Sequence, residues 1–200
     1  MKKIEIIWRE LLFQVLEKGN NHFVQQELAQ KFNFSTSTIF QALKSPRKMG
    51  AVRVGGREFI VSDPEKLLYH WASVRDLNKE IIYQTQVDLP IMEIENSMVP
   101  KAIFACFSAY RLKYNEAAAD YDKVYIYLKT QNSNLEEIKQ RFPQKKGRPN
   151  LIVLKADKYL ADYGRFTSIG QTFVDLWNLP DWFAKEFVNT LKEKIDELLS

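Results

Sequence analysis

The chain has 200 residues, 46% of them apolar, and a net charge of +4, which suits one domain or two small domains with packed cores. Its sole cysteine, Cys106, excludes an intrachain disulfide, and neither histidine lies near it at a metal-ligand spacing, so a structural zinc site is not expected. No apolar run approaches the roughly 18 residues of a membrane span, and the N-terminal residues predict an amphipathic helix rather than a secretory signal, so we expect a cytoplasmic protein without a membrane partner.

Three helices are predicted at the start of the chain. Apolar residues recur at helical spacing over residues 4–15 and predict a first helix that ends near Gly19. Residues 25–32 predict a second, short helix. Ser35 is a good N-cap for the third, because its hydroxyl can accept a hydrogen bond from an unpaired amide of the first turn. Ser45-Pro46 predicts the end of this helix, since proline lacks an amide and disfavours helical geometry in the residue before it.

A β-hairpin is predicted after the third helix. Two short apolar strands flank Gly55-Gly56, and this pair predicts a two-residue turn in which both residues take positive φ. That register places Arg53 opposite Glu58, so an ion pair across the strands is the alternative to a binding role for Arg53. Helix, turn, helix and hairpin in this order predict a winged helix-turn-helix DNA-binding module over residues 23–61.

The outward face of the third helix is polar and predicts contacts with DNA. Glutamine is the natural bidentate partner of adenine, and lysine reaches guanine acceptors or phosphates. We expect the base edges of the major groove to be read by Ser37, Thr38, Gln41 and Lys44. We expect phosphates to be held by Arg47, Lys48, Arg53 and Arg57. Taken alone, such a helix is more typical of an ordinary solvated surface than of a DNA contact, and it is the hairpin after it that favours DNA.

Positive charge is concentrated in the N-terminal part of the chain. Residues 1–75 have 12 Lys and Arg against 7 Asp and Glu, a net of +5, whereas residues 76–200 have 17 against 18, a net of −1. Neutralisation of phosphates supplies most of the sequence-independent affinity for DNA, so this distribution favours a DNA-binding first domain. An excess of this size is also common in domains that bind no nucleic acid, so it corroborates the motif only.

Two domains are predicted, a winged helix-turn-helix over residues 1–75 and a C-terminal α/β domain over residues 76–200. Asp63-Pro64-Glu65 predicts the start of the helix that closes the first. In the second, we predict strands over 123–128, 151–154 and 167–175, and helices over 99–112, 135–142 with Asn134 as its cap, and 181–199. The fold class is therefore α+β, with a small mixed sheet in the second domain.

The chain resembles a known family in three parts. These are the winged module, the apolar helix predicted around 102–110, and a strand-to-helix unit over 168–179 followed by Ala184-Lys185-Glu186-Phe187. Together they resemble the AbiEi-type antitoxins, transcriptional regulators of type IV toxin–antitoxin systems, most specifically in Gln171 and Asp175-Leu176. The resemblance implies a repressor of its own operon, a C-terminal domain related in fold to nucleotidyltransferases but without their activity, and a nucleotidyltransferase toxin as partner.

Two other functions are weighed against a DNA-binding regulator. A nucleotidyltransferase needs paired carboxylates for metal ions, and Asp120 and Asp122 precede a strand at that spacing, with Asp175 as a third candidate. However, no Gly-Ser element precedes them, so we expect no enzymatic activity and no cofactor, and Asp175 is better explained as an anchor for the turn at Asn178. The other alternative is a protein-interaction module that neutralises a partner without reading DNA. A homodimer on a palindromic operator is typical of winged modules, although no dimer helix can be singled out.

Overall fold

Two small sheets and the helices around them form a mixed α+β fold. A computed structural model describes residues 1–129 and 132–200. The helices are α1 (Lys3–Lys18), α2 (Gln25–Phe32), α3 (Thr36–Lys48), α4 (Pro64–Val74), α5 (Ile91–Asn96), α6 (Cys106–Tyr114), α7 (Asn132–Arg141), α8 (Ile169–Trp177) and α9 (Ala184–Leu199). The strands are β1 (His22–Val24), β2 (Val52–Gly55), β3 (Glu58–Val61), β4 (Ile81–Thr85), β5 (Ile103–Ala105), β6 (Val124–Leu128) and β7 (Leu151–Lys155). Within these two ranges, no helix is long and apolar enough to cross a membrane.

The first sheet is antiparallel and has the order β1-β3-β2. The predicted end of α1 is confirmed, because Gly19 takes the left-handed conformation with φ of 67°. The predicted start of α4 is also confirmed, since the Asp63 side chain accepts a hydrogen bond from the Lys66 backbone amide at 2.9 Å. Strand β1 was not predicted. Its three residues are too few to show an alternating pattern, and it forms by pairing with β3.

The second sheet has the order β4-β7-β6-β5, with β6 and β7 parallel and the other pairs antiparallel. The strands predicted over 123–128 and 151–154 are confirmed as β6 and β7. Both faces of this sheet are buried. Tyr125 and Tyr127 of β6 belong to a large core with α1, α6, α8 and α9, whereas Val124 and Ile126 pack with α7 in a second core.

The strand predicted over 167–175 is wrong, because these residues form helix α8. Ser168 caps it by accepting from the Gln171 backbone amide at 3.4 Å. From Ile169 to Leu176 every residue is buried, including the polar Gln171, Thr172 and Asp175, so the helix is enclosed on all sides. Just before the helix, the Thr167 amide donates to the carbonyl of Phe104 in β5.

The helix predicted over 99–112 is only partly correct. Ile103–Ala105 form β5, which pairs with β6, and the helix α6 begins at Cys106. Cys106 joins the two with a φ of 52°, in the left-handed region that non-glycine residues seldom adopt. A continuous apolar run does not distinguish a buried strand from a buried helix, which is why this junction was missed.

The starts of two later helices also differ from the predictions. Asn134 is not a cap but lies inside α7, which begins at Asn132. Helix α9 begins at Ala184, not at residue 181. Strand β4 and helix α5 were not predicted, since both are short and neither has a strong periodic pattern.

Buried charges join the two predicted domains across the boundary after Arg75. The Arg75 guanidinium contacts Asp175 at 3.2 Å, and the Tyr127 hydroxyl donates to the same carboxylate at 2.8 Å. Burial raises the pKa of Asp175 above its ordinary value, and Arg75 and Tyr127 oppose that shift. The predicted role of the Asp175 side chain as an anchor for the turn at Asn178 is therefore wrong, because this side chain ties α8 to Arg75, just after α4, and to Tyr127 of β6. A single large core also includes residues from both sides of the predicted boundary.

Candidate nucleic-acid interface

A tight turn and a capped N-terminus position α3. Asn33 ends α2 in the left-handed conformation, with φ of 49°. The Ser35 hydroxyl accepts a hydrogen bond from the Thr38 backbone amide at 3.3 Å, so the predicted N-cap is confirmed. The same hydroxyl lies 2.9 Å from the hydroxyls of Ser37 and Thr38. These hydroxyls thus have a partner within the chain and keep lone pairs for a ligand.

One side of α3 is buried and the other faces solvent. Ile39, Ala42 and Leu43 are buried, and the helix packs on α1, α2, β2 and α4. At 100° per residue, the residues of the opposite side fall within one strip of the helix. That strip is exposed at Ser37, Gln41, Lys44 and Lys48, with Thr38 half-buried at its edge.

Helix α3 does not end at Ser45-Pro46, as predicted, but continues to Lys48 with Pro46 inside it. A proline inside a helix leaves the carbonyl four residues earlier without its usual amide donor, here the carbonyl of Ala42. The indole Nε1 of Trp8, on α1, donates to that oxygen at 2.7 Å in the buried interior. The tertiary contact replaces the missing helical hydrogen bond, and Arg47 and Lys48 therefore lie on the last turn of α3.

The hairpin has a different register from the predicted one. Gly55 pairs with Glu58, so the two turn residues are Gly56 and Arg57 instead of Gly55-Gly56. Gly56 alone has positive φ, at 70°, as in a type II′ turn with glycine in its first central position. Arg53 consequently lies opposite Ile60 and not opposite Glu58, so the predicted alternative of a cross-strand ion pair is wrong.

Five cations of α3 and the hairpin are exposed and unneutralised. They are Lys44, Arg47, Lys48, Arg53 and Arg57. None of the five forms an ion pair with a carboxylate in the described part of the chain, where neighbouring pairs such as Lys66–Asp63 do form. A ligand with negative charge would therefore not compete with internal partners for these side chains.

No protein-family model and no curated protein matches the chain.

One apolar residue on the exposed side of α3 was missed in the sequence analysis. Phe40 is 49% exposed. The sequence could have predicted this exposure, because Phe40 lies outside the inward stripe of Ile39, Ala42 and Leu43. A single exposed apolar side chain is common on protein surfaces, so Phe40 adds an apolar group to this surface without indicating a ligand by itself.

The three carboxylates considered for nucleotidyl transfer have different surroundings. Asp120 is exposed, and Asp122 is exposed and 3.6 Å from Arg148. Asp175 is fully buried beside Arg75. Across residues 1–129 and 132–200, no group of three or more His, Cys, Asp or Glu side chains is arranged to hold a metal ion.

Proposed function

We propose that the protein is a sequence-specific DNA-binding transcription regulator whose N-terminal part is a winged helix-turn-helix. One observation carries the proposal: five exposed cations without internal partners occupy a capped helix and the hairpin that follows it. Phosphate contacts of this kind provide affinity and set the register on the duplex, whereas base contacts provide specificity. In this proposal α3 enters the major groove and the hairpin lies along the backbone.

The outward strip of α3 supplies both kinds of contact. Gln41, in its centre, is suited to the bidentate edge of adenine, and Lys44 to guanine acceptors or a phosphate. Phe40, beside them, is suited to the methyl group of thymine, an apolar feature of the major groove. Arg57, in the hairpin turn, would meet a phosphate or the minor groove.

The resemblance to AbiEi-type antitoxins supports a narrower version of the proposal. The regulator would repress its own operon, and its C-terminal half, with a nucleotidyltransferase-like fold but no activity, would counter a nucleotidyltransferase toxin. A homodimer on a palindromic operator would suit this role, as in other winged modules.

A protein-interaction module is a second candidate, favoured by two exposed tryptophans of the C-terminal half. Trp182 is 82% exposed and Trp177 is 49% exposed. Tryptophan is enriched at the energetic centres of protein interfaces. Such a surface is compatible with a DNA-binding regulator that also holds a partner.

A gel-shift assay with the DNA upstream of its own gene tests the proposal. The protein should retard this duplex in the presence of an excess of a scrambled duplex of equal length and composition. Competition by the scrambled duplex at equal concentration, or no retarded band at low salt, would overturn specific DNA reading and favour the interaction module. The salt concentration must be held constant, because the affinity of phosphate contacts depends steeply on it.

A further inference from the structure

A cavity of about 520 Å³ lies at the end of β6, and none of its lining residues is used by a function proposed so far. Its floor is apolar and includes the buried residues Ala102 and Ile103. The volume falls in the range of small-molecule sites, which are roughly 300 to 1,000 Å³ and mostly apolar with a few convergent polar groups.

Three cations line this cavity, Lys101, Lys129 and Arg165, and its lining includes no acidic residue. None of the three forms an ion pair with a carboxylate in residues 1–129 and 132–200, and the two remaining residues, Thr130 and Gln131, are uncharged. A concave surface with three cations and no acid in its lining concentrates positive potential, which low-dielectric walls strengthen.

Two further features hold the charged wall in place. The Arg165 carbonyl accepts a hydrogen bond from the Phe104 amide at 2.9 Å, so its backbone is fixed beside β5. Gly164, before it, has φ of 102° and ψ of −154°, a conformation open essentially to glycine alone.

On the other side of the cavity, Asn134 lines it from the first turn of α7 and is only 8% exposed. The positive end of that helix dipole therefore adds to the three side-chain charges.

We propose that this cavity binds a small organic phosphate. The phosphate group would contact Lys129 and Arg165, with Lys101 at the rim, while the carbon body would lie on Ala102 and Ile103. We expect an organic phosphate to bind better than a bare anion, because the apolar floor and the cationic wall belong to the same cavity and only an organic ligand can contact both. The amide of Asn134 can donate to a phosphate oxygen or to a hydroxyl of the ligand.

Isothermal titration of the full chain tests the proposal without DNA, so its failure is separate from failure of DNA reading. The probes are AMP, glucose 6-phosphate, inorganic phosphate and citrate. At least one of the two phosphate esters should bind with a Kd below about 1 mM and about tenfold more tightly than inorganic phosphate. Lys129→Gln and Arg165→Gln should each weaken that binding about tenfold, because each removes a charge-assisted hydrogen bond.

Lys146→Gln is the matched control, since Lys146 is an exposed lysine that does not line the cavity, and it should leave the Kd unchanged. Thermal melts identify a variant that fails to fold, and Lys101→Gln, at the exposed rim, then replaces it. Three results would each overturn the proposal. Citrate could bind as tightly as the best phosphate ester, Lys146→Gln could weaken ester binding as much as the cavity variants do, or neither ester could bind with a Kd below about 1 mM. A loss of duplex DNA affinity in Lys129→Gln as large as in Arg57→Ala would also overturn it, because the cavity would then belong to a DNA-contacting surface.

Discussion

Trp8 donates its indole hydrogen to the carbonyl oxygen of Ala42, the oxygen that Pro46 leaves without a helical partner. Through this contact, α1 keeps the last turn of α3 helical. That turn carries Arg47 and Lys48, two of the five unpaired cations of the proposed DNA interface. A core residue of α1 thus sets the length of the surface helix.

A double-mutant cycle should detect this dependence. Trp8→Phe removes the donor and part of a buried ring, and we expect it to lower the free energy of unfolding by about 2 to 3 kcal/mol. In a Pro46→Ala background the new amide can bond to Ala42, so the loss should be smaller by about 1 kcal/mol. Urea unfolding of the four proteins measures both values. Additive losses would mean that the indole hydrogen bond does not substitute for the one missing at Pro46.

The two glycines of the hairpin should respond differently to alanine. Neither has an atom within 4 Å of an added Cβ, so conformation alone decides the outcome. Gly56→Ala forces alanine to a φ of about 70° and should lower the free energy of unfolding by about 1 to 2 kcal/mol. Gly55 is extended, and Gly55→Ala should change the free energy of unfolding by about 0.5 kcal/mol or less. Equal losses would indicate the Gly55-Gly56 turn predicted from the sequence.

The ion pair between Arg9 and Asp157 should make stability depend on pH in the acid range. Arg9 donates to both oxygens of Asp157, at 2.7 and 2.8 Å, and its side chain is 0% exposed. Burial opposes ionisation of Asp157, but Arg9 outweighs it and holds the pKa below its ordinary value of 3.8. A lowered folded-state pKa stabilises the fold above pH 3.8, and this contribution is lost as pH falls through the lowered value.

We therefore expect Asp157→Asn to lower the free energy of unfolding by about 3 kcal/mol at pH 7. The difference in free energy of unfolding between this variant and the unmodified protein should shrink as the pH falls below 3.8. Asp76→Asn is the control, since it removes an exposed partner of Lys79 and should have little effect at either pH. If Asp157→Asn lowers the free energy of unfolding as much at acid pH as at pH 7, the charge of Asp157 does not contribute to stability.

Two variants of the proposed interface should separate base reading from phosphate binding. Gln41→Ala should reduce the preference for one base pair by about 1 to 3 kcal/mol and leave other positions unchanged. Arg57→Ala should weaken binding to all sequences and lower the salt slope by about one unit. Fluorescence anisotropy with the operator and its single-pair variants measures both. A uniform loss on every duplex for Gln41→Ala would refute its assignment as a base reader.

Elements with strong local signals could be predicted from the sequence. Gly19 ends α1 and Ser35 caps α3, because both roles depend on the residue itself and its immediate neighbours. The exposed polar strip of α3 followed from helical periodicity in the same way. The hairpin was located correctly, but its register was not, since Gly55 tolerates both an extended and a left-handed conformation.

The remaining differences come from contacts between residues that are distant in sequence. Pro46 stays helical because of Trp8, and Asp175 is held by Arg75, which lies 100 residues away. Helix α8 is enclosed by the core even at its polar residues Gln171, Thr172 and Asp175, a burial that its sequence does not show. Such features depend on tertiary packing, which local patterns do not encode.

The most direct test of the central claim is the affinity for duplex DNA of two triple-alanine variants with equal charge loss. One replaces Lys44, Arg53 and Arg57 of the interface, and the other replaces the exposed lysines Lys146, Lys155 and Lys185 of the C-terminal half. At fixed salt, the interface variant should lose about 100-fold or more in affinity and about three units of salt slope. The control variant should stay within about threefold, because its lysines lie outside the interface. Equal losses in the two variants would contradict a DNA-binding site on α3 and the hairpin.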